Sequence, residues 1–141
     1  MSIIKNAIIA TAIFFILAVS NHASAGQFWS EDKTTNALII SANALALIDW
    51  RQTRYIAKNP DRFHERGIAS HFIGEHPSTG DVDQYFALSI ILTNGIGYFL
   101  PESATVFGLQ FNPKKSFYIG ANIYEGYYVL NNIELGIRIQ H

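Results

Sequence analysis

The amino-acid sequence predicts an all-α fold: a small bundle of about three main helices, membrane-associated, with a short C-terminal strand. Three observations carry that expectation. Residues 34–48 and 84–101 hold no charged side chain, which suits helices that are buried or lie in lipid better than helices on a wet surface. Asn59-Pro60, Pro101 and Asn112-Pro113 cut the chain into helix-length pieces, because proline cannot continue a helix and disfavours the helical conformation of its predecessor. The 141 residues include no cysteine, so helix packing or a membrane, rather than disulfides or a thiolate metal site, must stabilise the fold.

The first segment is expected to fall outside that bundle. Lys5, the apolar run from Ala7 to Val19 and the polar stretch from Ser20 to Ala25 follow the order of a secretory signal peptide, and Ala23-Ser24-Ala25 offers a cleavage site before Gly26. The apolar run is shorter than the ~20 residues that a full membrane span prefers. Residues 1–25 are therefore expected to be a signal peptide and residues 26–141 a single helical domain, exported to the bacterial envelope, in the inner membrane or the periplasm. Loss of Lys5 leaves nine Lys and Arg against eleven Asp and Glu, a balance that argues against nucleic acid as a partner.

The first helix is expected to start at Ser30, with Glu31 and Asp32 meeting the positive end of the helix dipole, and to run to about Lys58. Residues 60–83 read as a polar connection with one short turn of helix, long enough to be functional. A second helix is expected from Ser78 or Thr79 to Leu100, a short element near 103–111, and a third helix from about Lys114 to Asn131 with four tyrosines around Glu125. Ile133, Leu135, Ile137 and Ile139 alternate with polar or small residues, the pattern of a half-buried strand. Both uncharged runs reach the lower length limit of a membrane span, and Arg51, Arg54, Lys58, Arg62 and Arg66 lie between them.

Two groups of residues bear on chemistry. On a helix, Gln52 and Thr53 lie one turn beyond Asp49, so a carboxylate, an amide and a hydroxyl share a face where the apolar run ends. They read either as a ligand-binding surface or as a hydrogen-bonded joint between helices, with Trp50 stacked on Arg54. His64, His71, Glu75 and His76 are metal-ligand types close together, but their spacing matches no catalytic zinc signature. No serine nucleophile motif or phosphate-cradling loop is present, and no cofactor is expected.

Asp49-Trp50, Gln52 to Ala57, Asn59 to Glu65, Gly74 to Ser78, Val82 and Tyr85-Phe86 together resemble a group of small envelope proteins of Gram-negative bacteria and their prophages. The resemblance covers residues 37–101 and implies an envelope location but no activity. An Asn-Pro pair that follows the glutamate in that pattern is replaced here by residues 67–73, which alters any site the turn shapes. The expectation is a non-enzymatic envelope protein that binds a protein partner or packs in the membrane. Its specific surface would join Asp49, Gln52, Thr53 and Arg54 to His76 and Tyr85. The alternatives are a metal-dependent hydrolase built on residues 64–83 and a soluble periplasmic binding module.

Overall fold

The computed structural model describes residues 26–137 and 139. The expected signal peptide lies outside the described residues. Helix α1 is Lys33–Lys58, and Asp32 rather than Ser30 caps it, its carboxylate accepting from the Thr34 amide at 2.9 Å. Ser30 instead supports the cap by accepting from the Asp32 amide. Asn59 closes the helix ahead of Pro60. The connection holds one short helix, α2 (Ser70–Ile73), as the sequence predicts.

Helix α3 is Thr79–Phe99. Ser78 Oγ accepts from the Asp81 amide while the Asp81 carboxylate accepts from the Ser78 amide, a reciprocal capping box that satisfies two otherwise unpaired donors. Pro101 stops the helix by forcing Leu100 into an extended conformation. The short element that follows is a β-hairpin, β1 (Ala104–Val106) against β2 (Leu109–Phe111), paired in antiparallel register with Val106 opposite Leu109. Its two-residue loop puts both Phe107 (φ 52°) and Gly108 (φ 79°) in the left-handed region, as a tight hairpin turn demands.

Helix α4 is Pro113–Glu134, with Pro113 in the first turn and Asn112 Oδ1 accepting from the Lys115 amide. It runs past the expected end at Asn131, and the C-terminal strand predicted over 133–139 is not formed among the described residues. Gly136 takes φ 76°, and the amides of Gly136 and Ile137 turn back to the carbonyls of Ile133 and Asn132. That left-handed cap uses the backbone groups a strand would have needed, and among the described residues no strand lies beside it to pair with.

Contacts fix the directions of the helices. Asn43 pairs with Asn94, and Arg54 with Asp83, so α1 and α3 are antiparallel. Asp32 pairs with Lys115, Leu38 with Asn122 and Gln52 with Val129, so α4 runs parallel to α1. The three-helix bundle with an antiparallel pair is therefore as expected, with α1 its central member. Ile39, Ala42 and Tyr118 form the tightest apolar core. Gly97 is the only side chain small enough where α3 crosses α4, because a methyl there would overlap the Tyr118 phenol.

The distribution of polarity is unusual. Thr35, Gln52, Thr53, Glu65, Lys114 and Asn132 are buried, while Ile40, Leu47, Leu88, Ile91, Leu92, Ile123, Leu130 and Ile133 point outward. No helix among the described residues is long and apolar enough to cross a membrane.

Candidate functional site

Polar side chains inside a small bundle must be satisfied by one another, and one interior group here is satisfied only in part. It forms where the second half of α1, the second half of α4 and the start of the connection meet. Asp49 accepts from Asn132 Nδ2 at 3.0 Å, Asn132 also donates to Gln52 Oε1 at 3.3 Å, and Gln52 Nε2 donates to the Val129 carbonyl at 3.3 Å. Thr53 donates to Glu65, whose own amide donates to the Glu75 carbonyl at 2.8 Å. The interhelix joint predicted for Asp49 and Gln52 is present, and its partners are Asn132 and Val129.

Three carboxyl groups share this interior. Burial pushes Asp49 up to about 7, against the hydrogen bond from Asn132. Glu65 is raised to about 7 by burial and then by the charge of Asp49. Glu125, on α4, is raised to about 7 by the same two causes in the same order. One oxygen of Glu65 and one of Glu125 are fully buried with no hydrogen-bond partner, a condition that strongly favours the protonated acid or a donor from outside. Tyr85 on α3 lies within reach of all three charges, and burial together with those charges holds its phenol above the ordinary range while Ser89 offsets part of the effect. Tyr124 is likewise held high by burial, by Tyr85 and by Tyr128.

The residues expected to form one surface divide into three places. Asp49, Gln52 and Thr53 enter the interior cluster, and Tyr85 borders it. Arg54 faces the other way, bridging to both oxygens of Asp83 on α3 at 2.9 Å. Trp50 does not stack on Arg54: its Nε1 donates to the same Asp83 at 2.7 Å and its ring lies parallel to Phe86 at 6.2 Å. Asp83 therefore occupies the guanidinium that Trp50 was expected to cover. His76 is exposed, one residue beyond Glu75, whose carbonyl accepts from the Glu65 amide, and its ring lies 6.2 Å from that of His64.

His64, His71 and Glu75 line a shallow pocket with Glu65, Gly67 and Tyr128. His64 accepts from Arg66 Nε, and His71 Nδ1 bonds to the Gly67 carbonyl. Among the described residues no group of three His, Asp or Glu is placed to hold a metal ion, so the hydrolase alternative lacks a ligand set there.

Nothing in the sequence joins Glu65, Glu125 or Asn132 to Asp49. Glu125 carried the clearest signal, as the only charge between Lys115 and Glu134 on an aromatic helix. A separate feature was equally hidden: Phe28, Trp29, Tyr98, Phe99, Phe107 and Leu109 are exposed and gather at the opposite end of the bundle from the connection. Gly26 donates to the Tyr98 carbonyl at 3.0 Å, and the buried Lys114 Nζ donates to the Gln27 carbonyl at 2.6 Å. Those bonds tie the start of the described chain to the end of α3 and the start of α4. Comparison with known protein families, curated proteins and solved structures finds no match.

Proposed function

We propose that this is a non-enzymatic envelope protein that works by packing the aromatic pole and apolar helix flanks against a membrane surface. The observation that carries the reading is Phe107. It is a bulky residue in the left-handed region, where glycine or asparagine costs least, and its side chain is fully exposed. Neither the turn nor the fold gains from a phenylalanine there. A surface that buries its ring does, by roughly 1.5–3 kcal/mol. Trp29 and Tyr98, exposed at the same end of the bundle, are the residue types that favour the boundary between headgroups and hydrocarbon.

The absence of a spanning helix among the described residues makes this a reading of lateral packing, in which the bundle lies on or partly in the interface. The apolar positions around α3 and α4 support the same environment. A protein partner at the pole is the second reading, since an apolar patch rimmed by polar residues also serves that purpose. Flotation with phospholipid vesicles separates the two. The protein should rise with the vesicles and leave them only in detergent; protein that stays at the bottom of the gradient favours the partner.

A further inference from the structure

Helices α3 and α4 meet closely at Gly97 and Tyr118, and beyond that contact they leave a groove of about 530 Å³ between them. Ala42 and Ala46 of α1 form its floor, Phe86 and Ile90 one wall, Phe117 and Ala121 the other. From Ile96 to Tyr85 the groove follows α3 for ~16 Å at the helical rise. Its volume lies in the range of small-molecule sites.

The walls are mostly apolar, broken by Asn43, Ser89, Thr93 and Ser116, and one end carries an acid. Glu125 lines the groove beside Tyr85 and Tyr124, and its Oε2 is buried with no hydrogen-bond donor. Asp49 adds negative potential at Glu125, and Asp49 and Glu65 add it at the neighbouring Tyr85. An unpaired buried acceptor at the end of a mostly apolar slot calls for its complement: an N–H donor with a positive charge on an apolar tail. A carboxylate or phosphate head would be repelled by the three acids. That also disfavours an aminophospholipid, which carries its phosphate next to its amine.

We propose that the groove between α3 and α4 binds a small amphiphilic primary amine, its ammonium on Glu125 and its hydrocarbon chain along Ala42 and Ala46. This site is distinct from the aromatic pole and does not depend on membrane docking.

Titration calorimetry with n-octylamine, n-octanol and n-octanoate at pH 8, above the value of about 7 to which burial and Asp49 raise Glu125, tests the proposal. Octylamine should bind about tenfold or more tightly than octanol, the difference that a charge-assisted hydrogen bond makes, and octanoate should bind most weakly. Glu125→Gln should bring octylamine down to the level of octanol. Gly120 has open space at the position of a Cβ, so Gly120→Leu can fill the groove without a backbone clash and should weaken amine and alcohol together. Equal affinity of the wild type for amine and alcohol, no binding of any probe, or an amine preference that survives Glu125→Gln would each overturn the assignment. The wild-type series decides even if Glu125→Gln fails to fold.

Discussion

Asn132 donates one amide to the Asp49 carboxyl at 3.0 Å and so ties the parallel pair α1 and α4 together at the edge of the interior cluster. Asp49→Ala removes that acceptor and opens a cavity beside Gln52. We expect a loss of ~1–3 kcal/mol at pH 5.5. Asp61→Ala, in the exposed connection, should leave stability within ~0.5 kcal/mol. Chemical denaturation of the two variants checks this, and equal midpoints would mean that Asp49 is not a structural joint.

The three raised carboxyls give stability a definite pH dependence. Asp49, Glu65 and Glu125 hold protons in the folded protein up to about 7, whereas in the unfolded chain they release them near 4. The folded state therefore binds more protons between those values, and stability falls as pH rises through that window and levels off above it. Asp32 and Asp81, held low by Lys115 and Ser78 respectively, contribute stability that is lost only as pH falls below about 4. The melting temperature should drop by several degrees from pH 5 to pH 8, corresponding to at least ~1 kcal/mol. Replacing the three acids with Asn, Gln and Gln should flatten the profile; a rise in melting temperature over the same range would contradict the cluster.

Two glycines two residues apart on α3 should respond in opposite directions. Gly97→Ala drives a methyl into the Tyr118 ring and should cost ~1–3 kcal/mol. Gly95 has nothing near its Cβ position, so Gly95→Ala should stabilise by ~0.5–1 kcal/mol through helix propensity. Thermal unfolding of both variants tests whether α3 and α4 cross where the structure has them.

Much of this fold was legible because local chemistry decided it. Ser78 with Asp81 marks a helix start in any surrounding, and Asn59-Pro60 and Pro101 mark ends. The hairpin at 104–111 was seen only as a short element, since its turn carries phenylalanine where the expected signal is asparagine or glycine. The predicted strand over 133–139 came from apolar alternation alone, which Gly136 overrode by capping the helix. The site was legible in part: Asp49, Gln52 and Thr53 share a helix face by spacing. Glu65 and Glu125 reach them only through the packing of the connection and α4, which no local pattern encodes.

Docking of the aromatic pole on a membrane surface depends most on Phe107. Its side chain is fully exposed, so Phe107→Glu has no packing to lose and should leave the melting temperature unchanged or slightly higher. Vesicle affinity should fall about tenfold or more, as expected when a buried aromatic ring is replaced by a charge. A Phe107→Glu protein that binds phospholipid vesicles as tightly as the wild type would mean that the aromatic pole does not dock on the membrane.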